Sequence, residues 1–196
     1  DTGLNFSFVR NEVTDLGGNL VPPSSVDGAS FAVEVGEPAF SYLGFQGAGA
    51  WKGGDDQTLM DQFGAEPGFP KWVDQNDDGD INSDDRVILG DPYPDYTFGF
   101  NNSFTFGRFS INVFIEGVQG VDMYNFALAE SYNPFNPLRN RLAEPLTNRW
   151  TPQNPTNEWP SFSHVASYKG SQINSFTIED ASFIRLKNVQ LSYNLN

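Results

Sequence analysis

The fold class is decided by the stretch Tyr96-Thr97-Phe98-Gly99-Phe100-Asn101-Asn102-Ser103-Phe104-Thr105-Phe106. Aromatic side chains recur at every second position and small polar residues fall between them, with Asn102 as the only lapse on the aromatic face. A period of two is the signature of a β-strand, because successive side chains point to opposite faces. Gly107 and Arg108 then form a tight-turn candidate before a second alternating run begins at Phe109, so the two runs predict a β-hairpin.

The same alternation returns towards both ends of the sequence. Leu4, Phe6 and Phe8 alternate with polar neighbours, and Val189, Leu191, Tyr193 and Leu195 do so again. We therefore predict strands near 3–13, 96–106, 109–117 and 182–195, joined by long loops over 14–95 and 118–181. Strand-like sequence reaches both ends, so we expect the natural chain to extend beyond each of them.

Two fold classes share such alternation, namely a soluble β-sandwich and a membrane β-barrel. The polar faces of these runs carry mainly Gly, Ser, Thr, Asn and Gln instead of Lys and Glu, opposite large aromatic residues. That arrangement is typical of a barrel with a polar lumen and an aromatic lipid face, as is one very short turn between two long loops. The prediction is an all-β chain forming a segment of a large antiparallel transmembrane β-barrel with long extracellular loops.

Composition excludes several classes of function. The chain has a net charge of −14, so it offers no basic surface for nucleic acid. It contains no Cys, which excludes disulfides, a thiol nucleophile and thiolate metal sites. Aromatic residues make up 15% of the chain although mean hydropathy is only −0.42, so the chain is rich in aromatic residues without being apolar overall.

The densest chemical motif is the acidic stretch 74–85, which matches the spacing of a calcium-binding loop. Gly79 stands at loop position 6, where a sharp turn is needed, and Ile81 at position 8 provides an apolar anchor. The predicted ligands are the side chains of Asp74, Asn76, Asp78 and Asp85, the carbonyl of Asp80, and Asn82 directly or through water. We predict a structural Ca²⁺, because a fully ligated ion has no open position for chemistry.

The motif departs from a helix-loop-helix calcium hand in two respects. Position 12 is Asp85 instead of the longer Glu, and Pro70 disfavours an incoming helix. The alternative interpretation is a solvated acidic turn that binds no metal.

No catalytic centre is predicted. His164 is the only histidine, and carboxylate pairs suited to glycoside hydrolysis cannot be established from spacing alone. The alternative functions are a secreted, calcium-stabilised β-sandwich carbohydrate-binding module, with tryptophans as sugar platforms, and a glycoside hydrolase fragment.

Three segments taken in order resemble the late barrel region of SusC/RagA-type TonB-dependent transporters of Bacteroidetes. They are Trp72-Val73-Asp74-Gln75-Asn76-Asp77-Asp78-Gly79-Asp80-Ile81, Asp84-Asp85-Arg86-Val87-Ile88-Leu89-Gly90-Asp91-Pro92 and Pro94-Asp95-Tyr96-Thr97-Phe98-Gly99-Phe100. The stretches Phe8-Val9-Arg10-Asn11-Glu12-Val13 and Asp180-Ala181-Ser182-Phe183-Ile184-Arg185-Leu186-Lys187-Asn188-Val189 look similar to strand beginnings of the same family.

The resemblance implies that residues 1–196 are part of a single barrel domain in the bacterial outer membrane. The whole barrel of that family has about 22 strands and encloses a plug. It further implies uptake of glycans or peptides, a SusD-like surface lipoprotein as lid, contact with the lipid bilayer, and energy from the TonB complex. The plug domain and the N-terminal part that contacts TonB are absent from this sequence, so no energy-coupling residue is carried over.

Overall fold

The computed structural model describes residues 1–17, 24–26, 29–132, 142–161 and 173–195. Its strands are β1 Thr2–Phe8, β2 Ser24–Val26, β3 Ala29–Ala32, β4 Ser41–Phe45, β5 Gly47–Ala50, β6 Pro70–Trp72, β7 Arg86–Gly90, β8 Tyr96–Phe106, β9 Phe109–Gln119, β10 Asp122–Tyr124, β11 Ile178–Asp180 and β12 Phe183–Tyr193. The helices are α1 Gln57–Gln62, α2 Phe126–Tyr132 and α3 Ala143–Asn148. Strand pairing is antiparallel throughout these sheets, which confirms the predicted all-β class.

The long strands form one sheet in the order β1-β8-β9-β12. The β8 and β9 strands pair from Tyr96 with Gln119 to Phe106 with Phe109, so a two-residue turn joins them. Gly107 has a φ of 59° in that turn, a conformation that glycine adopts without strain. The strand predicted near 3–13 ends at Phe8, and the one predicted over 109–117 continues to Gln119.

The apolar face of this sheet is exposed in the structure. Leu4, Phe106 and Leu191 expose 70%, 74% and 69% of their surface. A water-soluble sandwich would cover such a face with a second sheet, whereas a barrel presents it to lipid. The structure thus has the fold of a barrel segment.

A β-bulge keeps β12 in phase with its neighbours. Leu186 pairs with Ile115 and Asn188 with Phe114, so Lys187 is the additional residue. Because a shift of one position turns every side chain over, the bulge allows both Leu186 and Val189 to lie on the apolar face.

The predicted long loops contain sheets of their own. The strands β2, β3, β4 and β7 form a four-stranded sheet, while β5 pairs with β6 and β10 with β11. We call these short sheets, together with helices α1 and α2 and the segment at Ile173, the outer layer. Among the described residues, every buried hydrophobic residue lies in this outer layer; they are Ala32, Tyr42, Leu43, Phe45, Ala50, Trp51, Met60, Leu128, Ala129 and Ile173.

The two long connections pack against each other in the outer layer. The backbone N–H of Phe45 donates to the carbonyl of Ile173 at 3.1 Å, and Ser175 donates back to Phe45 at 3.0 Å. Gly44 permits this approach, because a Cβ there would lie 2.1 Å from the Ile173 oxygen.

Over the residues that the structure describes, no helix is long and apolar enough to span a membrane.

Candidate functional site

The aspartate loop, residues 74–85, connects β6 to β7 in the outer layer. A strand leads into it and a single 3₁₀ turn, Ser83–Asp85, leads out of it, so the loop has no flanking helices. The carboxylate of Asp74 accepts the backbone N–H of Gly79 at 2.8 Å, which folds the first half of the loop back on itself. Gly79 has a φ of 88°, where a side chain would be strained.

Successive side chains then support the turn from inside the loop. The amide oxygen of Asn76 accepts the N–H of Asp78 at 3.1 Å, and Asp78 accepts the N–H of Asp80 at 2.8 Å. The pKa of Asp78 is lowered below its ordinary value, mainly by the hydrogen bond from the Asp80 backbone and to a lesser extent by the hydrogen bond from the Asn76 side chain. Asp78 is therefore held as a carboxylate, the form that a hard cation requires.

Asp85 closes the loop. Its carboxylate is fully buried and accepts the N–H of Gln75 at 2.9 Å and that of Asn82 at 2.7 Å. The Asn82 side chain accepts the N–H of Asp84 at 2.8 Å, so Asn82 and Asp85 form a capping box around the 3₁₀ turn. One carboxylate thus ties the second position of the loop to the ninth.

The structure places all six predicted ligands on this one loop, mostly bonded to backbone N–H groups. Among the described residues, no three carboxylate or histidine side chains converge closely enough to hold a metal ion. One oxygen stands apart, since Oδ1 of Asp74 is buried and has no hydrogen-bond partner. A buried carboxylate oxygen without a donor is costly, and a cation would satisfy it.

Sequence reasoning did not identify an ion pair on the polar face of the long-strand sheet. Glu116 of β9 lies 2.9 Å from the Lys187 ammonium and 3.9 Å from the Arg185 guanidinium. The bulge in β12 brings both cations to one carboxylate, and that irregularity was not predicted from the alternating pattern. The only histidine, His164, lies outside the described residues.

Comparison with known proteins gives matches along nearly the whole chain. A TonB-dependent receptor of Formosa agariphila is 34% identical over 200 residues, which cover 98% of this chain and 20% of the receptor. A second TonB-dependent receptor of the same organism is 30% identical over 202 residues, covering 99% of this chain and 19% of that receptor. Over nearly its whole length the chain is thus similar to a segment of TonB-dependent receptors.

Solved structures also match the chain over nearly its whole length. The RagAB peptide transporter is 23% identical, with a TM-score of 0.68 over 98% of this chain and 20% of the matched chain. The RagAB peptide importer in its "open-open" state gives a TM-score of 0.71 with the same identity and coverage. At this identity the likeness shows the fold alone: the described chain has the fold of a segment of those matched chains.

The chain spans about a fifth of the length of the curated TonB-dependent receptors it matches. No protein-family model matches it. The relatives are named as receptors and transporters and none as an enzyme.

Proposed function

We propose that this chain forms part of the wall and of the outer loops of a SusC-like TonB-dependent transporter that imports glycans or peptides across the bacterial outer membrane. The observation that carries the proposal is the separation of two kinds of apolar surface. The sheet β1-β8-β9-β12 exposes its apolar face, while the buried hydrophobic residues lie in the layer beyond it. Lipid would cover the exposed apolar face of the sheet, whereas the other layer, whose hydrophobic residues are already buried, would be stable in water.

The partners follow from the same proposal. A SusD-like surface lipoprotein would meet the layer that holds the aspartate loop, and the TonB complex would act from the opposite side of the membrane. The turn at Gly107 and Arg108 lies at the far end of β8 and β9 from that layer, so we assign it to the periplasmic side.

Cysteine labelling tests this topology, because the chain has no Cys of its own. In intact cells, a membrane-impermeant maleimide should label Asp77→Cys in the aspartate loop. It should label Arg108→Cys only after the outer membrane is permeabilised. Labelling of Arg108→Cys in intact cells without labelling of Asp77→Cys would overturn the orientation.

The adjacent pair Gln190→Cys and Leu191→Cys tests which face meets lipid. Their side chains lie on opposite faces of β12, so a lipid-soluble quencher should quench a fluorophore at 191 more strongly than one at 190. Equal quenching at both positions would count against a membrane wall and favour the soluble carbohydrate-binding module.

We also propose that the aspartate loop binds a structural Ca²⁺ through Asp74, Asn76, Asp78, Asp80, Asn82 and Asp85. Two features support it. Oδ1 of Asp74 has no hydrogen-bond partner, and the segment 74–95 contains eight aspartates but only one arginine, Arg86. The existing backbone bonds are compatible with an ion, since each carboxylate oxygen has two lone pairs.

Calorimetry on the intact protein in detergent should show heat on calcium addition. Asp74→Asn should abolish or strongly reduce that heat. Asp77→Asn, which removes the same charge from an exposed loop position outside the ligand set, should leave it unchanged. Absence of heat up to roughly millimolar Ca²⁺, the weak end of the range for extracellular sites, would overturn the ion.

A further inference from the structure

A cavity of about 270 Å³ lies in the outer layer between α1 and the aspartate loop. Most of its lining residues are aromatic or apolar, among them Trp51, Phe63, Phe69 and Trp72, while Gln62 and Asp80 contribute polar side chains. A space of this size admits a single side chain or ring of a larger ligand. Nothing in the proposed transport function or the calcium site accounts for it.

The middle of the aspartate loop forms one side of this cavity. Gly79 lies directly against α1, because a Cβ on it would come within 2.3 Å of the Gln62 amide nitrogen. The next residue, Asp80, is fixed through its backbone N–H, which donates to Asp78 at 2.8 Å. That bond and the predicted calcium contact both use the Asp80 backbone, so neither of them occupies the carboxylate of this lining residue.

Charge selects the ligand. The segment from Asp74 to Asp95 carries eight aspartates and one arginine, so it disfavours an anion and attracts a cation. The aromatic cluster already holds one cation, since the Lys71 ammonium lies 4.2 Å from the centroid of the Trp51 ring. Aromatic faces combined with a carboxylate are a recurrent arrangement for binding ammonium and guanidinium groups.

We propose that this cavity is a subsite for a positively charged side chain, arginine or lysine, of a peptide. The inference rests on the proposed transport function for its meaning, and it selects peptide over glycan at this position. The cationic head would pair with Asp80, and the aliphatic stem would lie along the aromatic wall.

Binding is tested with short peptides and the intact protein in detergent, at fixed millimolar calcium so that the aspartate loop stays in one state. Calorimetry compares Gly-Arg-Gly with Gly-citrulline-Gly, which keeps the shape of arginine and lacks its charge. We expect the arginine peptide to bind about tenfold more tightly, and its affinity to fall as salt is raised.

Two variants of equal charge change locate the site. Asp80→Asn should weaken Gly-Arg-Gly binding about three- to tenfold, because it removes one exposed charge partner and keeps the backbone. Asp77 lies three residues before Asp80 and does not line the cavity, so Asp77→Asn should change the affinity for Gly-Arg-Gly less than twofold. Circular dichroism of both variants should match that of the parent protein.

Equal binding of the two peptides would overturn the proposal, as would equal effects of Asp80→Asn and Asp77→Asn. A neutral trisaccharide that displaced Gly-Arg-Gly at an equal or lower concentration would also overturn it and would assign the cavity to glycan. The cysteine-labelling result is independent of each of these outcomes, so a failure here is distinct from a failure of the transporter topology.

Discussion

Replacement of Asp85 by alanine should release the aspartate loop without unfolding the rest of the chain. The buried carboxylate accepts the N–H groups of Gln75 and Asn82, and alanine would leave both donors without a partner. A stranded donor costs about 1–3 kcal/mol, and these two are only partly buried, so about 3 kcal/mol for the pair is expected. That corresponds to about a hundredfold more frequent opening of the loop.

Amide hydrogen exchange measures this opening directly, with a chelator present so that no cation contributes. Peptides covering residues 75–82 should exchange about a hundredfold faster in Asp85→Ala, whereas peptides from β8 and β9 should keep the parent rate. Asp85→Asn, which retains one acceptor oxygen, should give an intermediate rate, and the exposed Asp77→Asn should give none of the effect. Exchange within about threefold of the parent at 75–82, or equal acceleration throughout the sheet, would refute the reasoning.

Three other perturbations have defined outcomes. Gly44→Ala should detach the segment at Ile173 from β4 and lower stability by about 1–3 kcal/mol, because its Cβ would lie 2.1 Å from a backbone oxygen; Gly53→Ala, with open space around it, is the control in thermal unfolding. Leu191→Arg should destabilise the folded barrel in a bilayer by about 2–4 kcal/mol if position 191 lies at mid-membrane, which lowers its yield on reconstitution, while Gln190→Arg on the polar face should be tolerated. Burial, with repulsion from Asp91, Asp180 and Asp95, raises the pKa of Asp122. Protonated Asp122 therefore contributes stability at low pH, and this contribution is lost as the pH rises through the raised pKa of the folded state. Asp122→Asn should therefore stabilise the protein at neutral pH relative to the parent, and a stability difference that is the same at pH values of about 3 and 7 would contradict this sign.

The long strands were predictable from sequence because apolar and polar side chains alternate along them almost without interruption. Tyr96–Phe106 has the bounds that its alternation indicates. The bulge at Lys187 was not predicted, because its signal is a single shift of phase between Leu186 and Val189. The spacing on either side of that shift is regular, so only the pairing with β9 locates it.

The sheets of the outer layer were not predicted, for a different physical reason. Strand β4, Ser41–Phe45, is buried at every position and therefore shows no alternation. Its partner strands are as short, and β4 also bonds through Phe45 to Ile173 and Ser175, which are distant in sequence. By contrast, the aspartate loop was predictable because its hydrogen bonds run between near neighbours, whereas the cavity beside it needs α1 and β6 to meet in space.

The two-residue turn at Gly107 and Arg108 has a consequence for folding kinetics. Strands β8 and β9 are local partners, so their hairpin can form within about 1–10 μs once the sequence is available. The edge strands β1 and β12 pair with partners that are distant in sequence: Phe8 pairs with Tyr96, and Phe183 with Val118. Each edge strand must therefore close a long loop before it pairs. The hairpin is thus the expected nucleus, on which β1 and β12 add from opposite sides, and substitutions in the turn should slow folding more than they speed unfolding.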